Sequence, residues 1–205
     1  MSLKLDAFLG TPLVVVLAVA CSPSSSSEQP DAGKGGAKSS DSGAVNGNDS
    51  AVASEDFVAA AADFTCIKDG THVRNFFIKN ALGHDQATLA VADAGQGTYP
   101  VGTMIQLIPQ EAMVKRREGF SAASGDWEFF SLGTSTSGTQ ILARGTTDVL
   151  NAFNLNCLDC HEKAAPQYDF ICETGHGCDP LPLTTDQIVS VQNGDPRCPA
   201  TDGGK

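Results

Sequence analysis

From residue 56 onward, apolar and polar positions alternate in short runs separated by Gly, Pro and polar clusters, a pattern that predicts strands and turns. Residues 72–78, rich in aromatic and β-branched side chains, read as a strand. Residues 86–92 suit a strand or a helix equally, because their period separates neither. Residues 103–108 predict a strand stopped by Pro109, and 112–116 another, followed by a loop between Gly119 and Gly125. Residues 126–132 and 138–144 flank Gly133 and Gly138 as a hairpin pair. A short helix is expected over 55–63 with Ser54 as N-cap, a second from about Thr147, and a third over 184–191. The fold class this predicts is α+β, a predominantly antiparallel β-sheet with a few short helices.

The first 55 positions follow a different pattern. Lys4 precedes an apolar run over 13–20 that is too short to span a bilayer and ends in small residues before Cys21. Ala18-Val19-Ala20-Cys21 resembles a bacterial lipobox, which makes 1–20 a lipoprotein signal peptide and Cys21 the lipidated first residue of the mature chain. A plainly cleaved secretory signal is the alternative. Residues 22–55 hold mostly Ser, Gly, Ala, Asp and Asn, with almost nothing to bury, so 21–55 reads as a lipidated cysteine and flexible linker. A coil of that length separates its ends by roughly 30 Å. The domain is then 56–205, in the bacterial cell envelope, either the periplasm or the outer membrane.

The formal charge of −11 gives no purchase on nucleic acid, since Lys115-Arg116-Arg117 is the longest basic run. Acidity of this kind helps solubility and the docking of a basic redox partner. Membrane contact is expected through the lipid anchor alone.

Candidate chemistry sits in Cys157-Leu158-Asp159-Cys160-His161, the C-x-x-C-H signal for covalent attachment of one haem c. Two thiols three positions apart lie on one helical turn, where each can add across a haem vinyl group. The histidine that follows stands under the iron as its ligand. C-x-x-C is also a thiol redox motif or half a zinc site, but a second C-x-x-C and a βαβ context are both missing. Of the seven cysteines, Cys21 goes to lipid and Cys157 with Cys160 to haem. Cys66, Cys172, Cys178 and Cys198 remain, an even set that predicts two disulfides with three connectivities open. Cys66 lies near the domain start and the other three near its end, so at least one bridge ties start to finish. A Cys172–His176–Cys178 metal site is the competing use.

Tyr99-Pro-Val-Gly-Thr103, Met113-Val-Lys115, Gly125-Asp-Trp127 and Cys157-Leu-Asp-Cys-His161, followed by 165–170, recur in that order in the cytochrome P-460 family, which includes the β-type cytochromes c′. The chain resembles that family over about 56–175. The resemblance implies a mostly antiparallel sheet with one haem c, a periplasmic location, a homodimer, and hydroxylamine or nitric oxide chemistry or gas binding. Hydroxylamine-oxidising members carry a haem-linked lysine shortly after the Gly-Thr motif. Here Gln106 and Leu107 stand there, and the next lysine is Lys115, which argues against the cross-link and against hydroxylamine oxidation.

For the iron's far side the sequence offers His72, His84, Met104, Met113 and Lys115, with no spacing that selects one. Arg74 is the expected distal polar group, because its strand resembles one lining the family's pocket. Phe76, Phe77, Phe129 and Phe130 are candidate walls, and Trp127 reads as packing. The function these readings lead to is an exported haem c protein with a site for a small nitrogen oxide. An electron carrier with two protein ligands to iron, or a disulfide-stabilised lipoprotein without haem, are the alternatives.

Overall fold

The computed structural model describes residues 55–199, so the signal peptide, Cys21 and the linker up to 54 lie outside the described residues. Six strands form one antiparallel sheet in chain order: β1 (Thr71–Val73), β2 (Phe76–Asn80), β3 (Thr103–Gln106), β4 (Glu111–Lys115), β5 (Trp127–Ser135) and β6 (Gly138–Gly145). The expected hairpin over 126–144 is present, with a register shift at Ser131/Leu132. Residues 86–92 resolve as helix, within α1 (Asp85–Ala94). It stops at Gly95, whose φ of 68° suits a residue without Cβ. Its Leu89, Val91 and Ala92 pack on the sheet.

Register sorts the apolar side chains into two clusters, because alternate residues of a strand point to opposite faces. Ile105 pairs with Met113 and Met113 with Phe129, and these join Trp127, Phe76 and Ile78 on one face. Met104 pairs with Val114, and these join Ala112, Phe130 and Leu132 on the other. The second face is closed by the N-terminal segment. Phe57, Ala59 and Phe64 pack into it, while Val58 between them is 61 % exposed. The helix expected over 55–63 is therefore corrected to an extended run ending in one 3-10 turn at Ala61–Asp63. Packing against the sheet overrides helix propensity here.

Charge fastens that segment. Asp56 takes Nε and Nη2 of Arg116 at 2.9 and 2.8 Å, and Arg116 Nη1 donates to Glu128 at 2.6 Å. Arg144 donates to Glu128 and, through Nη1, to the Ala59 carbonyl.

The strand expected over 72–78 is corrected to two strands. Val73 pairs with Phe76, leaving Arg74 and Asn75 as a two-residue hairpin turn. Arg74 has φ 50°, uncommon for a residue with a side chain. Its guanidinium holds the turn by forking onto Glu173 and donating to the Ala92 carbonyl at 2.8 Å.

Near the C-terminus, α3 (Thr185–Asn193) starts in a capping box between Thr184 and Gln187, where a helix was expected. Its Gln192 donates to the carbonyls of Asn75 and Leu107. Cys66–Cys198 bridges 132 residues and ties the domain's start to its end; Cys172–Cys178 bridges six.

Candidate functional site

The C-x-x-C-H motif forms α2 (Cys157–His161), one turn of helix presented by a self-closed loop. The helix does not begin near Thr147. Residues 147–156 are irregular: Asn151 accepts the N–H groups of Phe153 and Leu155, Asn154 has φ 59°, and Leu150 bridges Asn156. Asn156 then caps α2 by accepting the Asp159 N–H at 3.3 Å. Leu158 anchors the turn in the core, and the Cys157 N–H bonds to the Val149 carbonyl.

This turn lies at a cleft of about 380 Å³ on the sheet face opposite the N-terminal segment. Cys157, Cys160 and His161 line it beside Phe76, Ile105, Leu107, Met113, Phe129 and Ile171. Such a wall suits a large, flat, apolar ligand. Cys157 and Cys160 are the two free cysteines among the described residues. Burial, with the nearby Glu111 carboxylate, pushes the Cys157 thiol up to about 12. His161 Nδ1 lies 2.6 Å from the Phe170 carbonyl and donates to it, which leaves Nε2 with its lone pair available to a ligand. Burial lowers its pKa against the pull of that carbonyl, so the ring is held neutral, the form that binds metal. The Phe129 ring lies 5.2 Å from it.

A second cleft, about 750 Å³, adjoins the first across the Cys172–Cys178 bridge, which lines both. Arg74, Glu173 and His176 face it. His176 repeats the arrangement of His161: its Nδ1 meets the next carbonyl, Ile171, at 2.7 Å, and its ring stacks on Tyr168 at 3.7 Å.

The structure thus brings together Cys157, Cys160, His161, Met113, Phe76 and Phe129, while the Phe130 side chain packs in the cluster on the other face. Arg74 is not among them; it sits in the turn, paired with Glu173, in the neighbouring cleft. His72 packs against Phe77 on the edge strand, and His84 is exposed and paired with Glu55. Met104 is in the closed cluster, and Lys115 is buried in an ion pair with Asp169. Gln106 donates to backbone carbonyls of Pro109 and Glu111, while Leu107 lines the cleft. The Cys172–Cys178 bridge uses both thiols that a metal site with His176 required. Sequence reasoning missed Glu111, Phe170 and Leu181. Nothing in their spacing marks them: Glu111 reaches the site from the start of β4, Leu181 from a loop, and Phe170 through its backbone carbonyl.

Compared with family models, curated proteins and solved structures, the chain matches none.

Proposed function

We propose that this chain is an exported c-type cytochrome, fixing one haem c through Cys157, Cys160 and His161 and offering a site for nitric oxide or a related nitrogen oxide. The observation that carries it is a one-turn C-x-x-C-H helix with two unpaired thiols and an open His161 Nε2, set against an apolar cleft. Each thiol would form a thioether by placing its sulfur on one vinyl carbon and its hydrogen on the other. His161, held by Phe170, would present Nε2 to the iron, and the phenylalanine and isoleucine walls would exclude water from the macrocycle. The iron bound there supplies a coordination position for a small ligand, or a one-electron couple.

The antiparallel sheet is of the class that the resemblance to the cytochrome P-460 family leads one to expect, and membership of that family is part of the proposal. So are the signal peptide over 1–20, lipidation of Cys21 and a homodimer.

One observation favours the electron-carrier reading: Met113, whose thioether is a known haem ligand, lines the same cleft as His161. The full chain, expressed with a haem c maturation system, separates the readings. Haem should stay on the denatured chain and be lost from the Cys157→Ala/Cys160→Ala variant. A high-spin spectrum that shifts with nitric oxide is expected. A low-spin spectrum indifferent to nitric oxide, restored to high spin by Met113→Leu, would replace ligand binding with electron transfer. Absence of covalent haem from the wild-type chain would sink the proposal.

A further inference from the structure

Two consecutive residues with side chains, Asp169 and Phe170, have φ of 47° and 65°. Each is costly in the left-handed region, so a pair persists only where its surroundings over-determine it. The surroundings here come from strands β4 and β5 and from the loops that lead into β3 and β5. Lys115, on β4, places Nζ 2.7 and 2.8 Å from the two Asp169 carboxylate oxygens. The Tyr99 N–H donates to the same carboxylate at 2.9 Å, and Trp127 Nε1 donates to the Asp169 carbonyl at 2.8 Å. Lys115 Nζ also donates to the Gly125 carbonyl at 2.8 Å, and the Phe170 ring lies flush on Gly125, where a Cβ would come within 2.5 Å of it. Side chains of Lys115 and Asp169 are 7 and 10 % exposed.

We infer that the buried Lys115–Asp169 pair is a positioning device for His161, clamping a doubly left-handed turn so that the Phe170 carbonyl is fixed at the imidazole Nδ1–H. That the positioned imidazole serves an iron rests on the function proposed above; the clamp itself does not. A buried ion pair stabilises little over apolar residues of similar size, so what this one contributes is geometry. Lys115 was a candidate ligand in the sequence. The structure gives its ammonium a carboxylate instead, and the result is delivered one residue further on, at the carbonyl that sets the tautomer and rotation of His161.

The Lys115→Met/Asp169→Asn double variant of the full chain tests this. It leaves no charge unpaired, Asn tolerates the left-handed region, and the change in net charge is zero. In chain produced without haem, nitrogen-15 NMR of the histidines should show the His161 Nδ1–H protected in the wild type. Its exchange should be roughly tenfold faster in the variant, the loss of about one hydrogen bond. In haem-loaded chain the reduction potential should rise, because a weaker bond to Phe170 makes a less basic ligand. Lys115→Arg, which keeps a cation on Asp169, should restore much of both values. A folded double variant with wild-type exchange and potential would overturn the inference. If the double variant does not fold, Gly125→Ala, which pushes on Phe170 while keeping both charges, must show the same two shifts, and wild-type values there would equally overturn it. Should the wild-type chain take up no haem, the function proposed above fails, while exchange in the haem-free chain still decides the clamp.

Discussion

Met104 and Met113 lie on neighbouring strands of one sheet and end in opposite settings. Met104 is sealed among Phe64, Val114, Phe130 and Leu132, under a segment that the chain brings back from its own N-terminal side. Met113 is as deeply covered, at 6 % exposure, yet it walls a cleft of about 380 Å³ beside a free C-x-x-C-H turn. The closed face is completed by the protein's own parts: a strip of alternating apolar residues, an Asp56–Arg116–Glu128–Arg144 network and a disulfide across 132 residues. On the open face, α1 and the 149–171 segment cover one side, and the disulfide beside the cleft closes only six residues. An apolar-walled cleft beside two thiols and a histidine is what a covalently held ligand would fill. The faces differ in what finishes them, and that difference can be tested.

The largest effect expected is on the bridges. In the chain-entropy picture, closing 132 residues stabilises by about 5 kcal/mol and closing six by about 2 kcal/mol. Denaturant unfolding should therefore show Cys66→Ala/Cys198→Ala losing more than twice as much as Cys172→Ala/Cys178→Ala. Equal losses would mean that the closed face does not depend on its long bridge.

Next come Phe130 and Phe129, adjacent on β5 and pointing to opposite faces. Phe130 is 1 % exposed, 5.0 Å from the Phe64 ring and under the Arg144 guanidinium. Phe130→Ala should cost about 3–5 kcal/mol. Phe129→Ala enlarges an existing cleft rather than opening a sealed void, so the urea midpoint should fall by less. It should instead alter the optical spectrum of haem-loaded chain, through the ring beside His161. A Phe129→Ala loss as large as that of Phe130→Ala would erase the distinction between the faces.

Much of this sheet was legible because period two and turn residues are local signals. The hairpin over 126–144 and the helix over 184–191 were read from neighbours in sequence, and the start-to-end tie from an even count of cysteines placed at the two ends of the domain. The misreadings share a cause. Residues 55–63 have helical composition, but Phe57 and Ala59 are claimed by a face formed far along the chain. Arg74-Asn75 looked like strand interior because the turn is held by Glu173, 99 residues away. At the site, C-x-x-C-H announced itself, while its support did not. Asp169 and Phe170 matter through backbone conformation, and Lys115 through a partner 54 positions distant. Neither leaves a mark on local spacing.

The smallest effects separate the faces along the pH axis. In haem-free chain, burial lowers the pKa of His161 on the open face below the usual 6.5. A lowered pKa gives stability that is present above the unfolded value and lost as pH falls, because the folded state resists the proton that the unfolded chain accepts. Stability should thus start to decline below about pH 6.5, and His161→Gln should remove that first slope. On the closed face, hydrogen bonds from the Arg116 guanidinium hold the Asp56 carboxyl at about 2, against an ordinary 3.8. The same sign applies: its contribution is intact above about pH 4 and lost between 4 and 2, and Asp56→Asn should remove only this second slope. Asp56 is 22 % exposed, so solvent screens the interaction and the slope is shallow. Denaturant unfolding at a series of pH values reads both. Two slopes, each abolished by its own variant, would place the open face's weak point at a histidine and the closed face's at a carboxylate. A single slope below pH 4 in haem-free chain would mean that His161 is no more buried there than in the unfolded chain, and that the open face exists only when its ligand is attached.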